Sequence, residues 1–150
     1  MVQGKWYSPG SDLSDLLPVR NAVFGRGLDD LDGLSWNVLV FQDSVPVGTG
    51  RIWWQDGSFR VGDIGVLESF RRQRLGDLVL RLLLFKAQSH SAKEVRLLCP
   101  RDLTGFFSRL GLRELPVDGS AAAVEMMIPG DAIDLDTCKN CPRSACPNRK

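Results

Sequence analysis

The chain has 150 residues, 43% of them hydrophobic and 25% charged, the balance of an ordinary globular domain. That length suits one domain, able to bury about two-thirds of its unfolded surface without a staple. The formal net charge of +1 provides no global field toward nucleic acid or a membrane surface, so any basic site has to be local.

No run reaches the roughly 18 uncharged apolar residues of a membrane-spanning helix. The opening MVQGKWYSPG has no apolar h-region, so no signal peptide is expected and a cytoplasmic location is the default.

A short strand is expected at Lys5 to Tyr7, broken by Ser8-Pro9-Gly10. A helical run follows, with Ser11 or Asp12 as N-cap and an apolar face of Leu13, Leu16, Leu17, Val23 and Phe24. Pro18 lies inside it and is expected to split or kink it. Leu28 to Gly33 is acidic and turn-rich. Three strand signals then follow, at Ser35 to Gln42, Val45 to Trp54 and Phe59 to Leu67, with Asp56-Gly57 a strong hairpin signal. They read as an antiparallel meander.

From Leu75 the period becomes helical: Leu75, Leu78, Val79, Leu82 and Leu83 form a stripe, widened by Leu80 and Leu84. Glu94 to Pro100 reads as a buried strand. Asp102 to Arg113 reads as a short helix with Gly111 just past its end. Ala121 to Pro129 is the last strand. The unit from Phe59 to Pro100 predicts a parallel strand pair within a mixed, mostly antiparallel central sheet, an α/β (α+β) fold. Residues 1–130 are expected to form the domain. The segment 131–150 is expected to be a tail outside the core.

The segment VLESFRRQRLGDLVLRLLL places Arg71, Arg72 and Arg74 at the mouth of the leucine-rich helix. A helix N-terminus is already electropositive and favours acids. Unpaired backbone N–H groups in such a strand–loop–helix turn form an anion site, and arginines around it add charge-assisted hydrogen bonds. The arginines are tolerable there if a pyrophosphate neutralises them.

This segment resembles the acetyl-CoA loop of the GNAT family of N-acyltransferases, whose form is Gln/Arg-x-x-Gly-x-Gly/Ala after an apolar strand. Arg71 matches the first position and Gly76 the last. Asp102 to Leu112, DLTGFFSRLGL, resembles the family's second signature, an aromatic pair in a short helix ending in Leu-Gly-Phe. The meander and the element order fit as well, over roughly Met1 to Pro129.

The resemblance implies an N-acetyltransferase that moves an acetyl group from acetyl-CoA to a primary amine, of a small molecule or peptide, by direct attack in a ternary complex. It implies a β-α-β acyl-CoA-binding unit with the loop residues Arg71, Arg72, Gln73, Arg74, Leu75, Gly76 and Asp77 on the pyrophosphate. Gly65, Val66 and Leu67 would pair with pantetheine and polarise the thioester carbonyl, and Phe106 would touch the cleft. Family members often pair, which makes a homodimer an option.

Two positions depart from the family pattern. Arg74 stands where the first motif glycine belongs, although only glycine takes positive φ without cost. The aromatic pair is Phe106-Phe107, with no tyrosine to protonate a leaving thiolate, and Tyr7 is the only tyrosine. For the general base, Asp63 is the first candidate and Glu125 the second. Glu68 is expected to be solvated. His90 lies in a helix-end loop. One ring of the tandem Trp53-Trp54 faces away from the other by strand alternation and is a candidate groove wall.

Cys138, Cys141 and Cys146 form a C-x2-C-x4-C tail; its C-x2-C knuckle is a common half of a zinc site, thiolates also bind iron–sulfur clusters, and three cysteines leave a tetrahedral shell one ligand short. Cys99, water or a second subunit would have to complete it; an oxidisable tail without metal is the plain alternative. The rival to an enzyme is a non-catalytic acyl-CoA- or phosphate-binding module of the same shape with a sensing tail.

Overall fold

The structure, a computed structural model, describes residues 1–115 and 123–135. Seven strands form one sheet in the order β1-β2-β3-β4-β5-β7-β6. They are β1 (Val2–Tyr7), β2 (Trp36–Gln42), β3 (Val45–Gln55), β4 (Ser58–Val66), β5 (Glu94–Pro100), β6 (Arg113–Glu114) and β7 (Ala123–Pro129). Every pairing is antiparallel except β4 with β5. This is the expected mixed α/β fold.

The meander turns by two tight hairpins. Asp43 and Ser44 have φ of 52° and 71°, and Asp56 and Gly57 have 53° and 81°. Positive φ at both central residues is the turn whose twist matches the flanking strands. Asp56-Gly57 is legible for that reason, whereas Asp43-Ser44 achieves the same geometry without glycine.

Among the described residues three helices cover the sheet: α1 (Leu17–Phe24), α2 (Leu75–Ser89) and α3 (Thr104–Ser108). Pro18 does split the first helical run. Ser14–Leu16 forms a separate 3-10 turn, and Pro18 sits in the first turn of α1, where its missing N–H costs nothing. Asp12 accepts from the Ser14 amide at 3.0 Å, and Gly25 closes the helix in the left-handed region. The apolar face of α2 packs Val79, Leu80, Leu83, Leu84 and Ala87 into the main core with Val38, Val40, Ile52 and Met126. Gly65 backs onto Val23 and Phe24 of α1, while Gly50 on β3 backs onto Val79 and Leu83 of α2. Thr49 pairs with Gly65, so neighbouring residues on β3 point to opposite helices. The two helices therefore lie on opposite faces.

The packed unit extends past the expected boundary at 130. Gly130–Ala132 forms a 3-10 turn, Ile133 is 6% exposed within the core, and Leu135 packs against it. The Gln88 side chain donates to the Ile133 carbonyl at 3.2 Å. A Cβ on Gly130 would overlap the Ala92 carbonyl, so only glycine permits this crossing.

No helix among the described residues is long and apolar enough to cross a membrane. Cys138, Cys141 and Cys146 lie outside the described residues. Cys99 is buried with its Sγ 3.6 Å from the Met126 Sδ, so it is not offered at the surface as a fourth metal ligand. Among the described residues no group of three or more His, Cys, Asp or Glu side chains has the arrangement to hold a metal ion.

Candidate acyl-CoA site

The parallel pairing of β4 with β5 lasts for two positions, Phe59 with Val95 and Arg60 with Arg96. Beyond Arg60 the strands separate. The cause lies in β4 itself. Thr49 faces Gly65 and Arg51 faces Gly62, so β4 carries one residue more than β3 over this stretch. That is a bulge, with Asp63 at φ 50°. A bulge increases local twist and bends its strand out of the ladder.

A cavity of about 840 Å³ opens beside the unpaired end of β4. Ile64, Gly65 and Val66 of β4 form one wall, Phe106 and Phe107 of α3 another, and Val23 and Phe24 of α1 a third. The floor is the loop after β4 and the first turn of α2, Phe70 to Arg72 and Arg74 to Asp77, together with Arg109; Gln73 of the same loop does not line it. Among the described residues its charged lining is Arg71, Arg72, Arg74 and Arg109 against a single acid, Asp77, which is already paired with Arg81 at 2.8 Å. The cavity is therefore apolar along its walls and cationic at one end, the shape of a ligand with a charged head and a thin apolar arm.

The loop geometry explains the cationic end. Glu68–Phe70 is a 3-10 turn, and α2 begins at Leu75 with no side-chain cap. Its first-turn amides have no intrahelical partner, and the macrodipole adds positive potential. Arg72 and Arg74 both lie in the left-handed region, at φ 67° and 63°. Arg74 thus adopts the conformation that the glycine of the motif would take, at a cost of roughly 1–2 kcal/mol. Alternation of this kind turns successive N–H groups toward one concavity, an anion nest. Gly76 sits where the helix meets Phe106, whose Cζ lies 3.6 Å from the place of a Cβ. The phenyl rings of Phe106 and Phe107 meet edge to face at 5.0 Å.

The three strand residues expected to meet a pantetheine arm are not equivalent. The Leu67 amide donates to the Val47 carbonyl on β3 at 2.8 Å, so it is committed to the sheet. By strand alternation the Val66 peptide faces the other way, into the gap. Its carbonyl accepts from Arg71 Nε at 3.1 Å, which ties the loop to the strand. Gly65 has a different role: a Cβ there would lie 2.5 Å from Val23 and 3.0 Å from Phe24. It lets α1 close the cavity wall.

Neither candidate base lines the cavity. The Glu125 carboxylate accepts from Arg60 at 3.2 Å and Arg96 at 3.3 Å, bridging β4, β5 and β7. Asp63 lies at the bulge, bonded to Arg26 and facing Arg51 Nε at 3.3 Å and Arg20 Nε at 3.8 Å. Arg20, Arg26 and Arg51 together meet Asp29, Asp32 and Asp63. The Asp29 carboxyl is held down to about 2, chiefly by its hydrogen bonds from Arg51. His90 ends α2 among rings, 6.5 Å from Trp36 and 6.0 Å from Phe59. Tyr7 is buried on β1 and donates to Asp15. Among the described residues no tyrosine lines the cavity. Trp53 shares a face with Arg51, its ring 5.2 Å from the guanidinium, and Trp54 turns outward against Phe59.

A family model for "Acetyltransferase (GNAT) family" matches residues 7–112. The chain belongs to the GNAT family of acetyltransferases. Membership supports acyl transfer from acyl-CoA, and the cavity's basic end and apolar walls suit that class of ligand. The uncharacterized N-acetyltransferase YjcF of Bacillus subtilis is 28% identical over 111 residues, covering 69% of this chain and 79% of that protein. Among solved structures, an acyl-CoA N-acyltransferase from Pseudomonas aeruginosa superposes with a TM-score of 0.71 at 16% identity, covering 85% of this chain and 99% of the other. A GNAT family acetyltransferase from Elizabethkingia anophelis, solved with acetyl-CoA bound, gives 0.69 at 12% identity, over 85% and 97%. At these identities the superpositions carry the GNAT fold alone.

Several lining residues carry no sequence signal of their own. Val23 and Phe24 read as core positions of an amphipathic helix, and Arg109 reads as a solvated side chain in FFSRLG. The GNAT fold gives them a place in the site.

Proposed function

We propose that this GNAT protein is an N-acetyltransferase that moves an acetyl group from acetyl-CoA to a primary amine of a small molecule or peptide, by direct attack within a ternary complex. The observation that carries this reading is the cavity that runs from the end of β4, Ile64 to Val66, where that strand no longer pairs with β5, to the arginine loop. Its cationic floor fits a diphosphate, and its apolar length fits the pantetheine arm.

Arg71, Arg72, Gln73 and Arg74 surround the diphosphate, with the first-turn amides of Leu75, Gly76 and Asp77 beneath it. Phe106 packs along the arm. The Val66 N–H donates to the thioester carbonyl, where it strengthens as that oxygen gains charge. The amine nitrogen attacks the carbonyl carbon; the C–N bond forms and the C–S bond breaks as the oxyanion collapses. The adduct nitrogen gives up its second proton as the intermediate collapses, and that proton reaches the departing thiolate through solvent, so no tyrosine is needed for it. Holding both reactants in register supplies several kcal/mol of the rate enhancement.

We assign removal of the ammonium proton to Asp63, which shares the α1-facing side of β4 with Gly65. Glu125 serves instead as an ionic tie between strands.

Heat-shift measurements with acetyl-CoA and with a pantetheine fragment lacking the nucleotide test the binding step. The intact molecule should raise Tm and the fragment should not. Release of free thiol with a panel of amines tests the transfer. Absence of any acetyl-CoA shift would overturn the reading.

A further inference from the structure

The ion cluster at Asp63 is uneven. Arg20 is fully buried and clamped by Asp32 at 2.7 Å and Asn37 at 3.0 Å. The Arg51 side chain is 6% exposed and holds Asp29 through two hydrogen bonds, at 2.6 and 3.1 Å. Arg26 differs from both. Its side chain is 42% exposed, and it lies between α1 and the turn at Asp30–Leu34. Its remaining contacts are loose: the Gly27 carbonyl at 3.5 Å, Asp29 at 3.6 Å and the Phe24 ring at 5.5 Å.

Of the three guanidiniums on Asp63, only Arg26 can leave cheaply. Exposed ion pairs are worth about 0–1 kcal/mol, whereas breaking a buried pair costs about 3–5 kcal/mol. Three carboxylates face three guanidiniums in this cluster. Withdrawing Arg26 leaves one uncompensated negative charge beside Asp63, whose side chain is only 11% exposed. Arg26 holds the Asp63 Oδ1, while the buried Oδ2 faces Arg51 Nε at 3.3 Å and Arg20 Nε at 3.8 Å. Phe24, which carries Arg26 across its ring, is also a wall of the cavity.

We infer that Arg26 is an exchangeable counter-ion, displaced from Asp63 by the ammonium group of the acceptor, and that the acceptor is a cationic amine free of carboxylate. This rests on the acetyl-transfer reading. An incoming ammonium replaces the lost charge and takes over the Oδ1 hydrogen bond that Arg26 gives up. Asp63, no longer occupied by Arg26, takes one proton from nitrogen and passes it to solvent; the neutral amine then attacks. The product amide carries no charge, so Arg26 returns and the product is expelled. An acceptor carboxylate would meet Asp29 and Asp63 together, which is repulsive.

The test uses the full chain, Arg26→Gln and Arg26→Lys, with acetyl-CoA and three probes: n-butylamine, 1,4-diaminobutane and 4-aminobutanoate. Thiol release gives kcat and KM, and the acetyl-CoA heat shift is recorded for each protein. Arg26→Gln should lower KM about fivefold for the first two amines, the equivalent of one exposed pair. Arg26→Lys should keep the wild-type KM, and 4-aminobutanoate should be a poor acceptor for all three proteins. A raised KM for every amine in Arg26→Gln would overturn the inference. So would a wild-type preference for 4-aminobutanoate that the variant loses, which would make Arg26 a carboxylate receptor. No turnover of any probe, with the heat shift intact, also overturns it. Loss of the heat shift in the wild-type chain instead removes the acetyl-transfer reading beneath it.

Discussion

Arg71 donates through Nε to the Val66 carbonyl at 3.1 Å, so the basic loop and the strand wall of the cavity are joined by one side chain. Arg71→Ala removes that tie and one cation from the floor. A charge-assisted hydrogen bond contributes about 1.5–3 kcal/mol, so acetyl-CoA affinity should fall by about tenfold or more. Arg71→Lys should recover charge without the Nε bond, and so only part of the affinity. Calorimetric titration with acetyl-CoA measures both.

Arg74→Gly should separate folding from binding. Relief of the left-handed backbone should stabilise the chain by about 1 kcal/mol, equivalent to a Tm rise of about 2–4 °C at this size. Loss of the cation should weaken acetyl-CoA binding and flatten its salt dependence. A variant with unchanged affinity would show that the side chain does not reach the ligand.

Gly65→Ala should damage both stability and binding. The added methyl would press on Val23 at 2.5 Å, and overpacking costs about 1–3 kcal/mol. The relief available to α1 is to move off β4, which opens the Phe24 wall. Thermal melts with and without acetyl-CoA should show a lower Tm and a smaller ligand shift.

Arg20→Ala strips a fully buried partner from Asp32 and should cost about 3–5 kcal/mol. Arg20→Met with Asp32→Leu should lose less, because no charge is left buried alone. Urea unfolding of the three proteins gives the ordering. An equal loss in the single and double variants would show that packing, not charge, sets the penalty.

Tyr7 offers a direct pH readout. Burial, and then the hydrogen bond to Asp15, push its phenol up to about 12 from 10.0. A raised value means the folded chain holds the proton more tightly. That contribution is complete below pH 10 and is lost as pH rises toward 12. Tyr7 is the only tyrosine, so phenolate absorbance should appear near pH 12 in the folded chain and near pH 10 in denaturant.

The sequence exposed those parts of the fold whose signals are local. The leucine stripe of α2, the Asp56-Gly57 turn and the Arg71 to Gly76 loop each lie within one window. The ion cluster was hidden because Arg20 and Asp32 are twelve residues apart, and Arg20 and Asp63 forty-three. Nothing local marks such a partnership, and Asp63 read as an available carboxylate. β6 is two residues long, too short for alternation to register. Ile133 looked like tail because one buried side chain has no period.

The clasp at Gly130 and Ile133 bears on where the polypeptide can be shortened. A fragment ending at Pro129 would uncover the apolar patch that Ile133 shields and free the Gln88 amide from its carbonyl. A fragment ending at Leu135 keeps both. Among the described residues, side chains beyond the last strand thus anchor the packed unit, and the two fragments should differ in solubility as well as in melting temperature.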